Sequence, residues 1–172
     1  MQPIVHLVVG YLCYAAYSRW KTGDPPRDVP ALVAIGSAVL ADVIDKPLYA
    51  MGVLPVGRAI GHSLLFVGPL VIVVLYLTRM IGRGELGIAF AIGYGSHLAA
   101  DIPWHLLSGE YHELGFLFWP ITTMPPYTGV KTIWMGAGLE ITTLWLEAVI
   151  GLIGVIVWWF DGRPGIGILK DR

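Results

Sequence analysis

The segment GYGSHLAAD, Gly93 to Asp101, sets a histidine and an aspartate inside a run of small and apolar residues. Residues four apart on a helix project from the same face, so His97 and Asp101 offer an imidazole nitrogen and a carboxylate to one point. An ionisable group inside a bilayer is costly, roughly 2.5 to 3.5 kcal/mol for Asp on insertion scales. A helix that carries two such groups on one face needs compensation from elsewhere in the chain. The source of that compensation decides the fold.

The composition points to a membrane. Of 172 residues, 56% are hydrophobic and 13% charged, with a mean hydropathy of +0.70, which does not suit the surface of a water-soluble domain. Eleven Lys and Arg nearly cancel 12 Asp and Glu, without the basic excess that nucleic-acid binding requires. Cys13 is alone, so it forms neither a disulfide within the chain nor a thiolate metal site by itself.

Apolar runs fall at about 3–18, 29–45, 62–82, 84–107 and 138–160. They predict an all-α integral membrane bundle of five transmembrane helices, a single domain over 1–172. The first run lacks the basic flank of a cleaved signal and is read as a mature helix. KPLYAMGVLPVGRAIG, starting at Lys46, and LSGEYHELGFLFWPITTMPPYTGVKTIWMGAG, starting at Leu107, are apolar but broken by Gly and Pro, as loops folded into the interface are. Pro103 predicts a kink or end in the fourth helix.

Basic residues assign the two sides. Arg19, Lys21, Arg27, Arg79, Arg83, Arg163, Lys170 and Arg172 collect on one side, against Lys46, Arg58 and Lys131 on the other. Positive loops stay in the cytoplasm, so the N-terminus and both apolar loops face away from it. This assignment brings His6, Asp42, Asp45, His62, His97 and Asp101 into one extracytoplasmic layer, together with His105 and His112.

Imidazole and carboxylate are the ligands that Zn²⁺ takes from proteins, with Mn²⁺ or Mg²⁺ as alternatives. His6, Asp42, Asp45, His62, His97 and Asp101 are the metal-ligand candidates, and a shared cation would compensate their carboxylates. Asp45 is also a candidate catalytic residue. So is Ser63, which could donate to a substrate oxyanion, although a serine at a helix start is also a cap. His105 and His112 fit an aromatic belt beside Trp104 and Tyr111 as well as a site. Glu140 and Glu147 share a face of the last helix, and Glu147 reads either as a general base or as a helix-contact residue.

His6, ADVIDKP, GHSLL, GYGSHLAAD and FLFWP together resemble the membrane-bound metal-dependent hydrolases, a family that includes LexA-regulated inner-membrane proteins. The likeness covers about residues 6–120 and is most specific in GHSLL and GYGSHLAAD. Two departures stand out: Asp42 and Asp45 are three apart where the family's aspartates are commonly two apart, and Ala41 stands where the family has proline. The resemblance implies a metal-assisted hydrolase and names no substrate. A lipid-like substrate follows from the headgroup depth of the site, with attack by metal-activated water on an ester or phosphoester. Membrane lipids are the expected surroundings and nucleic acid is not a partner. Two alternatives are a non-catalytic, metal-stabilised membrane scaffold and, ranked below it, an ion or proton translocator using His97, Asp101 and Glu147.

Overall fold

The computed structural model describes residues 2–107, 109, 111–125 and 141–167, with side chains outside 103–107 and 141–143. Within them the chain is helical and contains no strand. Helix α1 spans Pro3–Thr22. Proline suits its start, where the missing N–H costs nothing, and Gly23 ends it at φ 82° with its N–H on the Arg19 carbonyl.

The apolar run expected as one helix over 29–45 is two helices, α2 (Asp28–Ser37) and α3 (Leu40–Ala50). The break follows Gly36-Ser37, a pair that weakens a helix, and the Ser37 hydroxyl bonds back to the Ala34 carbonyl at 3.1 Å. Val39, at φ −118° and ψ 0°, then starts a new hydrogen-bonded turn by accepting from the Val43 N–H. The other runs match α4 (Leu64–Met80), α5 (Gly84–Leu107) and α6 (Ile141–Phe160). Helix α5 continues through Pro103 rather than ending there. A 3₁₀ helix, Tyr111–Phe118, lies in the second apolar loop.

Helix α5 is central and packs against α1, α2 and α4, whereas α6 rests on α1. Small residues on α2 allow this closeness: Ala31 is buried with Tyr11 and Ala15, and Ala34 with Tyr14 and Ala89. At Gly93 a Cβ would overlap the Ala34 carbonyl and the Ser37 hydroxyl, so the α2–α5 contact requires glycine there. A separate cluster of Val56, Phe116 and Met124 holds the two apolar loops together.

Ile72, Val73, Tyr76 and Leu77 of α4 and Trp145, Leu152, Val155 and Trp159 of α6 remain exposed. Among the described residues no helix is long and apolar enough to cross a membrane. Helix α4 has 17 residues, and α5 carries Glu85, His97 and Asp101 within its apolar sequence.

At the Arg19 end of α1, the chain ties itself together through buried Asp161, which accepts from Tyr11 Oη and pairs with Arg19. Asp28 accepts from the Gly165 N–H at 2.6 Å, and Arg27 pairs with Glu85. His6 lies thirteen residues before Arg19, about 20 Å away along the helix. The two ends therefore carry separate polar groups.

Candidate metal centre

Three helices and the turn before α4 deliver side chains to one buried cluster. His6 comes from the start of α1, Asp42 and Asp45 from α3, His62 from just before α4, and His97 and Asp101 from α5. The fracture between α2 and α3 aims one of them. Nδ1 of His97 lies 2.7 Å from the carbonyl oxygen of Ala38, at that break. A carbonyl only accepts, so Nδ1 holds the proton and Nε2 presents a lone pair to the cluster.

His62 is oriented in the same way by Asp45. Its Nδ1 lies 2.7 Å from Asp45 Oδ2, and that carboxylate also accepts the backbone N–H groups of Ala59 at 2.7 Å and Gly61 at 2.8 Å. The Gly61 carbonyl accepts from Tyr94 Oη at 2.7 Å, which pins the turn to α5. A Cβ on Gly61 would approach the Ala41 carbonyl to 2.7 Å, so this turn fits against α3 only with glycine.

With both Nδ1 protons committed, the Nε2 atoms of His62 and His97 face each other at 3.1 Å. Carboxylate oxygens surround them. Asp101 Oδ2 is 3.6 Å from His62 Nε2 and 3.9 Å from His97 Nε2, and Asp42 Oδ1 is 3.8 Å from His62 Nε2. His6 adds its Nε2 at 3.4 Å from Asp101 Oδ1, with its ring centroid 4.0 Å from that of His97. Two overlapping triads, His6–His97–Asp101 and Asp42–His62–His97, each have their potential ligand atoms within 4.8 Å of one another.

Two observations test whether a cation fits. Ligands at roughly 2.0–2.1 Å from a tetrahedral ion are about 3.3 Å apart, close to the separations around His62 Nε2. His6 Nδ1 is buried without a hydrogen-bond partner among the described residues, a costly state for a polar atom, and the geometry of the 3.4 Å contact from His6 Nε2 leaves Asp101 Oδ1 without a well-formed hydrogen bond. The donor set fits a divalent ion.

The carboxylates also meet cations of the chain itself. Lys46 Nζ donates to Asp42 Oδ2 at 2.7 Å, and Arg58 Nε to Asp101 Oδ2 at 3.0 Å, with the Arg58 guanidinium 5.7 Å from the Phe116 ring centre. The Asp42–Lys46 spacing of four is legible on one helix. The Arg58–Asp101 pair and the Ala38 carbonyl carry no local signal.

The expected residues separate by role. His6, Asp42, His62, His97 and Asp101 converge. Asp45 lies behind His62, with both oxygens engaged away from the facing Nε2 atoms. Ser63 caps α4, accepting the Leu65 N–H at 3.2 Å while donating to the Trp119 carbonyl at 2.6 Å. His112 is exposed on the 3₁₀ helix. The His105 side chain and Glu140 lie outside what is described. Glu147 accepts the Gln2 backbone N–H at 3.2 Å, a carboxylate at the positive end of α1.

No curated protein and no solved structure matches the sequence. The sequence profile of the YdjM inner membrane proteins does, over residues 1–165. That match takes in every residue of the cluster, and the chain belongs to the YdjM inner membrane protein family.

Proposed function

We propose that this inner membrane protein binds a divalent cation, Zn²⁺ before Mn²⁺ or Mg²⁺, and hydrolyses an ester or phosphoester bond of a lipid-like substrate at the extracytoplasmic face. One observation carries the reading: two imidazole Nε2 atoms, each with its Nδ1 proton committed, face each other at 3.1 Å among carboxylate oxygens. Lone pairs so arranged repel unless a proton or a metal cation lies between them, and the surrounding carboxylates favour the metal.

His62, His97, Asp42 and Asp101 would hold the ion, with His6 beside Asp101. A bound divalent ion acts as a Lewis acid that polarises the scissile group and acidifies water near neutral pH. Asp45 and the Ala38 carbonyl fix the imidazoles in the ligand tautomer. The helices keep bulk water from the cluster, since His6, His62 and His97 are at most 1% exposed.

Exposed apolar faces on α4 and α6 support a bundle that crosses the membrane as a unit. Hydropathy averaged along α5 counts His97 and Asp101, which are buried against neighbouring helices and do not meet lipid. Lys and Arg asymmetry supports a cluster on the extracytoplasmic side.

The same burial favours a second reading, an ion closed in by protein that only braces the bundle. Metal analysis of protein purified in detergent without chelator tests the site. Bound metal lowered by His97→Ala and by Asp101→Asn is expected, and metal-free wild type overturns it. Turnover of ester or phosphoester lipids that chelator abolishes, Zn²⁺ restores and His62→Ala lowers at least about a hundredfold separates enzyme from brace.

A further inference from the structure

An ion shared by His62, His97, Asp42 and Oδ2 of Asp101 leaves part of the cluster unused. Oδ2 of Asp101 faces His62 Nε2 at 3.6 Å and His97 Nε2 at 3.9 Å, whereas Oδ1 meets His6 Nε2 at 3.4 Å without a well-formed hydrogen bond. His6 is 1% exposed, and its Nδ1 has no hydrogen-bond partner among the described residues. A histidine that only fills an interior ordinarily has its ring nitrogens bonded. This one lies against a metal cluster instead, beside a carboxylate oxygen that is also unsatisfied.

The backbone of α1 is built to bring it there. Gly10 is four residues after His6 and so shares its face of the helix. A Cβ on Gly10 would come to 2.5 Å from the Ala38 Cβ and 3.1 Å from the Ala34 carbonyl. Without one, α1 settles on the end of α2, and the His6 ring lies with its centroid 4.0 Å from that of His97. His6, His97 and Asp101 then have potential ligand atoms within 4.8 Å of one another. The Nε2 lone pair of His97 serves one ion at a time, which leaves His6 Nε2 and Asp101 Oδ1 for another.

We infer that His6 Nε2 and Asp101 Oδ1 form a second cation position, so that the two oxygens of Asp101 join two divalent ions. The inference rests on the reading of the cluster as a metal centre and extends it from one ion to two. The division of ligands gives the ions different roles. Four protein ligands fill a tetrahedral ion and leave no place for water, which suits a brace. An ion held by His6 and Asp101 alone keeps positions for water and substrate, as hydrolysis requires. It is also the weaker of the two. The Nδ1 atoms of His62 and His97 are held by Asp45 and the Ala38 carbonyl, whereas that of His6 has no such support. Loss of a supporting partner lowers metal affinity about 10- to 100-fold.

Manganese tests this, because Mn²⁺ is paramagnetic and two such ions on one carboxylate couple their spins. Full-length protein in neutral detergent, stripped of metal, is titrated with Mn²⁺ while bound ions are counted and the low-temperature electron paramagnetic resonance spectrum is recorded. Two ions per chain are expected, the second at least about tenfold weaker than the first and its arrival marked by a spin-coupled spectrum. His6→Ala is expected to bind a single, uncoupled ion with the affinity of the wild type's first. If His6 only steadies Asp101, the wild type binds one ion and His6→Ala weakens it. One ion per chain in the wild type at saturating Mn²⁺, or a second that is uncoupled or survives in His6→Ala, overturns the inference while the first ion stands. Loss of both ions from a folded His6→Ala puts His6 on the first ion and overturns it as well. A wild type that binds no ion overturns the metal centre and this position with it. If His6→Ala fails to fold, the wild-type count and spectrum decide, together with His6→Gln.

Discussion

The imidazole of His97 donates from Nδ1 to the carbonyl oxygen of Ala38 at 2.7 Å, across the α2–α5 contact and at the point where α2 gives way to α3. An unbroken helix would commit that carbonyl to an N–H four residues on. The fracture leaves it available to set the tautomer of His97. Backbone irregularity in the second apolar run thus prepares a side chain in the fourth.

This relationship depends on how closely α2 and α5 approach. Gly93→Ala inserts a methyl group against the Ala34 carbonyl and the Ser37 hydroxyl and is expected to cost about 1–3 kcal/mol, with a fall in bound metal. Gly95→Ala, on the same helix but facing open space, is expected to keep both or gain up to about 1 kcal/mol. Thermal unfolding and metal analysis of the pair check it. Equal behaviour of the two variants removes the packing argument.

Asp45 holds His62 from behind and accepts two backbone N–H groups as well. Asp45→Asn keeps the shape, removes the charge and turns an amide toward donors. Metal affinity is expected to drop 10- to 100-fold, measured by competition with a chelating dye. Affinity within twofold of wild type would show that Asp45 does not orient a ligand.

Ser63 bonds the Leu65 N–H and the Trp119 carbonyl. Ser63→Ala is expected to cost about 1 kcal/mol of stability, as the loss of a helix cap does, while metal content is retained. Should a phospholipid substrate be turned over, the variant should keep its rate within a few-fold. A hundredfold loss of rate at unchanged stability assigns the hydroxyl to the chemistry instead.

Topology is checked with single cysteines in a Cys13→Ala background. Val53 and Trp20 are 65% and 81% exposed and lie toward opposite ends of the bundle. In intact cells stripped of any outer barrier, Val53→Cys is expected to react with a membrane-impermeant thiol reagent, and Trp20→Cys only after permeabilisation. The reverse pattern inverts the orientation.

Much of the site is legible in the sequence. The four-residue spacing of His97 and Asp101 put both on one face of α5, and His62 beside Ser63 marked the start of α4. Four of the five apolar runs coincide with helices of the structure, within a few residues at their ends. These features are local, since a helix repeats its face every few residues and an apolar run declares itself by composition alone.

What the tertiary structure alone decided involves contacts between distant positions. Asp42 and Asp45 look equivalent on α3, yet the turn through Ala59 and Gly61 draws Asp45 behind His62 and leaves Asp42 facing it. Arg58 has no local relation to Asp101, and Ala38 has no side-chain chemistry to announce its carbonyl, but packing sets one at 3.0 Å from Asp101 and the other at 2.7 Å from His97. The sequence by itself determined which residue types with metal-ligating chemistry the chain carries and that they fall toward one end of its helices. Which atoms face one another was left to the packing of α2, α3 and the turn before α4 around α5, because periodicity specifies the face of a helix and carries no information about the rotation and depth at which another helix meets it.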